Sequence, residues 1–157
     1  MIENKRGEGY IQVCVLIILI CMLLSVFVTF ASAVNVVRLT ERNSKTVLES
    51  YVTKNSIEIY NAIKQGTNDA DSINASEYIS ELADFCTFEK SGSYYYHRDA
   101  NGRTEYYITK PTVGFTESGK LRLYVSYTLY VPICFDNVQI STAKIPITVK
   151  IDLDERF

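Results

Sequence analysis

General acid–base chemistry near neutral pH calls first for histidine, and the chain has one, His97. It follows three tyrosines and precedes a turn signal at Asp99–Gly102, Asp-Ala-Asn-Gly. No nucleophile or carboxylate stands at a spacing that would pair with it, so His97 reads as structural or surface. Of four cysteines, Cys14 and Cys21 lie inside a hydrophobic run and read as small apolar packers. Cys86 and Cys134 lie beyond it and form a candidate disulfide if that region is exported, with two reduced, buried thiols as the alternative. There is no CxxC pair and no Cys/His cluster, so no metal is expected. Asn68–Ser72, Asn-Asp-Ala-Asp-Ser, begins like a calcium loop but lacks the glycine and the closing glutamate that such a loop needs. P-loop, GxGxxG, GxSxG and HExxH motifs are absent. The expectation is a protein without catalytic residues or cofactors. Tyr94, Tyr95 and Tyr96, with Tyr106 and Tyr107 across the turn, offer either an interface patch or cross-strand packing pairs. A net charge of -2, from 16 basic and 18 acidic residues, gives no footprint for nucleic acid.

The elements that must position these residues are unequal. Gly9 through Val37 carries no Asp, Glu, Lys or Arg. Val13 to Phe30 is dense in Val, Ile, Leu, Phe, Cys and Met, enough for a membrane-spanning helix, which needs about 20 apolar residues. Tyr10 stands at its edge, where an amphipathic ring suits an interface. Neither Gly nor Pro occurs between Gly9 and Gly66, so one long helix is expected, ending at Gly66. Beyond a polar stretch, Arg38–Thr46, apolar residues recur at helical spacing: Val47, Leu48, Tyr51, Val52, Ile59, Tyr60 and Ile63. That stripe needs an apolar partner.

The partner is expected in a C-terminal antiparallel sheet. A short helix is predicted from Ala75 to Phe85, with Asn74 as its N-cap and Glu77 completing a capping box. Strands are predicted at Tyr94–His97, Arg103–Thr109 and Lys120–Val131, with a last strand at Ala143–Leu153. In the third, Leu121, Leu123, Val125, Tyr127, Leu129 and Val131 share a face. In the last, Ala143, Ile145, Ile147, Val149, Ile151 and Leu153 do so. Such alternation gives one dry face and one wet face. Pro111, Pro132 and Pro146 mark strand starts, edges or bulges.

The expected class is therefore α+β: a transmembrane helix continuing into an amphipathic helix that packs on an antiparallel sheet. The expected divisions are a cytoplasmic tail (1–9), a transmembrane helix (10–37), an amphipathic extension (38–66) and an extracytoplasmic α+β domain (67–157). A short tail usually stays inside while a long domain is translocated, so the N-terminus is expected in the cytoplasm.

The segment before the span carries a more specific pattern: Lys5-Arg6-Gly7-Glu8-Gly9-Tyr10-Ile11-Gln12. A basic tail, a small residue and then a hydrophobic helix is the layout of pilin precursors. Over Arg6 to about Leu24 the chain resembles Tad-type pseudopilins of the TadE and TadG kind. It is most similar to a Gram-positive group of short single-span proteins that begin Arg-Gly-Glu-Gly-Tyr-Ile and occur near Tad-type pilus or conjugation genes. The resemblance implies a pilin-like fold and a minor pilin or pseudopilin, a structural subunit whose partners are the membrane and other pilin-like or envelope-apparatus proteins. It implies processing after Gly7, with Glu8 as the new N-terminus. Gln12 then takes the fifth position, where pilins carry a glutamate that neutralises a neighbour's N-terminal amine. Gln12 can hydrogen-bond there but cannot neutralise.

Two other readings stand beside it. Ala31-Ser32-Ala33 is a signal-peptidase pattern, and cleavage before Val34 would release a soluble binding module. An uncleaved, membrane-anchored accessory subunit that docks another envelope protein is the third.

Overall fold

The computed structural model describes residues 8–64, 74–116, 122–135 and 138–153. The chain divides into two compact units, Met1–Asn35 and Val36–Phe157.

Helix α1 runs through Glu8–Lys54, 47 residues. Its residues before Asn35 form the first unit. There the large side chains from Tyr10 to Phe30 are exposed. Among the described residues, this is the one helix long and apolar enough to cross a membrane. With no charge and no solvent-facing stripe, nothing in the stretch distinguishes one side from another.

In the second unit the same helix behaves differently. Val36, Thr40, Ser44, Val47, Leu48, Tyr51 and Val52 are buried at helical spacing. The stripe expected from Val47 onward therefore reaches back three turns, through residues whose polarity conceals it. Tyr60, assigned to that stripe, is exposed instead, and the side chain of Ile63 lies outside the description.

The single long helix expected up to Gly66 is corrected. α1 ends at Lys54 and α2 begins at Ser56, running to Lys64. Asn55, between them, turns its side-chain amide back to donate to the Tyr51 carbonyl at 3.1 Å, where its own backbone N–H also donates at 3.0 Å. A short amide competing for the helical carbonyl disturbs the helix without Gly or Pro. Gly66 and Asn68–Ser72 lie outside the described residues.

Helix α3 spans Ala75–Phe85, with the Asn74 side chain accepting from the Glu77 backbone N–H. It buries Tyr78, Ile79 and Leu82. Tyr78 meets Tyr51 of α1 edge-on at 6.1 Å. Lys54 clasps Glu77 at 2.7 Å and Glu81 at 2.8 Å across the two helices. These exposed pairs align α3 more than they stabilise it.

Among the described residues, six strands form one antiparallel sheet: β1 Glu89–Ser91, β2 Tyr94–Arg98, β3 Thr104–Thr109, β4 Thr112–Thr116, β5 Arg122–Phe135 and β6 Val138–Asp152. β6 pairs along the whole of β5. On its other edge β5 carries β4 against Arg122–Ser126 and β3 against Leu129–Tyr130. The break between β3 and β4 falls at Pro111, which has no N–H to give. There the Thr128 backbone N–H donates to the Thr109 hydroxyl at 3.0 Å, filling the gap in the ladder. Leu123, Val125, Tyr127, Leu129 and Val131 of β5 are buried, as are Ile147, Val149 and Ile151 of β6. That is the dry face. Gly114 lies opposite Tyr124 on the other face, and a Cβ there would meet the ring at 2.8–3.1 Å.

Candidate functional site

The described residues hold no cluster of three or more His, Cys, Asp or Glu side chains able to bind a metal. What they hold are two groups of aromatic and hydroxyl side chains, one on each face of the sheet.

The inner group joins α1 to the sheet. The Tyr127 hydroxyl lies 2.6 Å from the Ser44 hydroxyl and also donates to the Thr40 carbonyl at 3.3 Å. The Tyr78 hydroxyl donates to the Ser44 carbonyl at 3.3 Å. Thr40 closes its own bond to the Val36 carbonyl. No buried side-chain polar atom among the described residues lacks a partner. Burial pushes the phenols of Tyr78 and Tyr127 well above their ordinary range, and that of Tyr106 up to about 12. These phenols stay protonated and serve as hydrogen-bonding struts.

Cys86 caps α3 beside this group. It is buried, the Asn43 amide donates to its sulfur at 3.7 Å, and burial raises its thiol above the usual range. His97 Nδ1 bonds the Cys86 carbonyl at 2.9 Å, not the thiol, and its Nε2 lies 3.6 Å from Glu105. The ring stacks on Tyr106 at 4.8 Å and meets Phe88 edge-on at 6.3 Å. A suppressed thiol without a base in reach is not an activated nucleophile.

Both cysteines of the candidate Cys86–Cys134 disulfide are free in this structure. Cys86 is held in the helix–sheet core, whereas Cys134 is exposed near the far end of β5, opposite Gln139.

The outer group is the tyrosine patch, and the strand alternation splits it. Tyr95 and Tyr106 point into the core, at 7% and 3% exposure. Tyr94, Tyr96 and Tyr107 face outward and are joined by Tyr130 of β5, which pairs with Tyr107. Tyr107 and Tyr130 stack at 4.9 Å with rings 3° from parallel, and Tyr96 stacks on Tyr107 at 5.1 Å. Tyr94 closes the group edge-on against Tyr96, Tyr107 and Tyr130. Lys144 Nζ stands 5.9 Å from the Tyr130 ring centre, within cation–π range. Desolvation by these neighbours raises the Tyr107 phenol. The five tyrosines thus divide between rings that pack in the core and rings that face outward. The addition of Tyr130 was concealed because the register that places it beside Tyr107 depends on how distant strands pair. Its outward parity between Leu129 and Val131 was the available signal.

Of the processing positions, Gly7 lies outside the described residues, Glu8 begins α1 and Gln12 is exposed on it. Comparison with known proteins found nothing similar: no family model, no curated protein and no solved structure matches this chain.

Proposed function

We propose that the protein is a single-span, membrane-anchored structural subunit of pilin-like character, belonging to a Tad-like pilus, secretion or conjugation apparatus. The observation that carries this reading is the division of α1. Its large side chains from Val13 to Phe30 are apolar and exposed, while the residues from Val36 onward are fastened to the sheet by packing and by the Thr40–Ser44–Tyr127 hydroxyls. A helix that is apolar all round belongs in lipid or among other such helices. On this reading the N-terminus is cytoplasmic, the sheet domain lies on the far side, and function is packing, without catalysis. The outward tyrosines supply a docking face for another envelope protein. The Lys5–Gln12 pattern supports a pilin-type leader cut after Gly7.

The alternative of release by signal peptidase has an observation of its own. The second compact unit begins at Val36, two residues beyond the Val34 that would become the N-terminus. Against it, Ala31–Ala33 lies within α1.

Intact mass and N-terminal sequencing of protein from cell membranes test both. A start at Glu8 supports the pilin-like reading. A start at Val34 overturns it in favour of a secreted domain. An intact Met1 with the protein retained in the membrane removes pilin-type processing and leaves an anchored accessory subunit.

A further inference from the structure

Three strands of the sheet, β1, β4 and β6, have one side without a partner strand among the described residues. Such an edge presents backbone donors and acceptors to any further strand, and proteins commonly block it. Two of the three are blocked. β1 is three residues long, and its Glu89 is held by Arg98. β6 carries Lys144, Pro146 and Lys150, and its pairing slips at Ile140. β4, Thr-Val-Gly-Phe-Thr, has no charge and no proline, and it pairs with β5 in unbroken register.

The direction of the backbone groups shows what β4 leaves open. In an antiparallel ladder, successive residues turn their N–H and C=O to opposite sides. The Thr128 N–H points to the β3–β4 side of β5, where the Thr109 hydroxyl accepts it. Between Arg122 and Thr128 the register of β5 does not shift. Ser126, Tyr124 and Arg122 therefore turn toward β4 as well, where Thr112, Gly114 and Thr116 stand opposite them. Pro146, opposite Thr128, fits this parity, since its missing N–H falls on the outer side of β6. The N–H and C=O of Val113 and Phe115 are left pointing away from β5.

The side chains of the same two residues are also incompletely covered. They lie on the dry face, Val113 opposite Val125 and Phe115 opposite Leu123. Val125 and Leu123 are 0% exposed, whereas Val113 and Phe115 are half-exposed.

This edge is complementary to itself. With a two-fold axis through Gly114, Val113 faces Phe115 of the second copy, and Phe115 faces Val113 of the second copy. Each such pair exchanges an N–H and a C=O in both directions, so every outward group of the two residues finds a partner. A slip of one residue would set outward groups against inward ones, so the register is fixed. Gly114 then meets Gly114 of the second copy at a non-bonded position, where Cα atoms approach to about 4.5 Å. The Tyr124 ring already fills the place of the missing Cβ. On the dry face, Val113 and Phe115 cover one another across the joint.

We infer that β4 is a homodimerisation edge, at which two copies of the chain pair Thr112–Thr116 antiparallel about Gly114 and join their sheets. A second copy fits better than an unrelated strand because one sequence supplies both halves of the bonding pattern and both halves of the Val–Phe contact. A five-residue joint is small beside the roughly 1,200–2,000 Å² of a standard stable interface. The dimer is therefore reversible, and its population follows concentration. None of this depends on the single-span reading above.

The test uses the full-length protein in detergent micelles. Sedimentation equilibrium reads the mass, and amide hydrogen exchange resolved by NMR reads the place. The expected mass rises from one chain to two with concentration, and exchange at Val113 and Phe115 slows over the same range. The Gly114 amide, bonded within the chain, is slow throughout, and the Thr148 amide on the outer side of β6 stays fast. Val113→Pro removes one outward N–H and spares the β4–β5 ladder, so it should keep the circular dichroism of the parent and abolish the rise in mass. Fast exchange at Val113 and Phe115 at every concentration overturns the inference. Slow exchange at every concentration, in the monomer too, overturns it by showing that the same chain covers the edge. A dimer that survives Val113→Pro overturns it in favour of association elsewhere, as through the apolar part of α1. If Val113→Pro does not fold, exchange in the parent protein decides alone.

Discussion

The two stretches of α1 are one continuous helix with opposite requirements. From Val13 to Phe30 every large side chain is apolar and none is buried. From Val36 onward the helix carries Arg, Glu, Lys and Asn, yet seven of its residues are buried, three of them hydroxyl-bearing: Thr40, Ser44 and Tyr51. Hydrophobicity alone therefore ranks the stretches in the wrong order for packing within the protein. The apolar stretch has no protein partner to specify. The mixed stretch encodes a face, a register and a partner.

That contrast can be broken most sharply by truncation. Leu48 is 0% exposed. We predict that Leu48→Ala costs about 2–5 kcal/mol, read as a lower midpoint of thermal unfolding of the sheet domain in detergent. Leu19→Ala should leave that midpoint unchanged. Equal losses from the two would mean that the apolar stretch packs on the domain, and the contrast would fail.

Alkali sharpens it. The buried phenols of Tyr78, Tyr106 and Tyr127 have folded pKa values above the ordinary 10.0. The unfolded chain ionises first, so the stability these groups hold is full below about pH 10 and is lost as pH rises toward their folded values. Chemical denaturation at several pH values should show stability flat to about pH 9.5, then falling. Stability unchanged up to pH 12 would deny these tyrosines their buried, protonated state.

A smaller effect isolates the hydroxyls. Tyr127→Phe removes the bonds to Ser44 and Thr40 and leaves the ring, costing about 0.5–1.5 kcal/mol and weakening the alkaline fall. The corresponding change in the apolar stretch, Thr29→Val, removes only a bond to the Ser25 carbonyl within the same helix. It should not alter unfolding of the domain. A Tyr127→Phe variant as stable as the parent would show that packing alone sets the register.

The smallest effect is at the exposed end. Lys54 is 58% exposed although two carboxylates hold it charged. Lys54→Ala is expected to lower the unfolding midpoint only slightly, and less still in high salt. A loss as large as that of Leu48→Ala would mean that the clasp, rather than Tyr51 and Tyr78, fixes α3.

What the sequence made legible follows the strength of its periodicities. Helix α3 with its Asn74 cap, and the buried sides of β5 and β6, are where alternation and capping put them. β1 was not legible, because Glu-Lys-Ser has no pattern and is held by pairing with β2 and by the Arg98–Glu89 ion pair. β4 was hidden behind Pro111, which reads as a stop although the chain resumes its pairing one residue later. Thr40 and Ser44 were hidden because a hydroxyl buried against a tyrosine looks, in one dimension, like a residue meant for water. The tyrosine group was legible in its residues but not in its division, since which rings point outward depends on strand parity and which strand joins them depends on register.

The hydroxyls on α1 also make the helix a keyed shaft. If α1 slid by one turn, about 5.4 Å, Leu48 would replace Ser44 opposite Tyr127, and the phenol would face a side chain with nothing to offer it. Rotation would carry Thr40 off the sheet in the same way. Force along the stretch of α1 from Val36 onward would therefore not be dissipated by slippage at the helix–sheet joint. It would be borne by β5 as a load on its ladder, shared with the full-length pairing of β6.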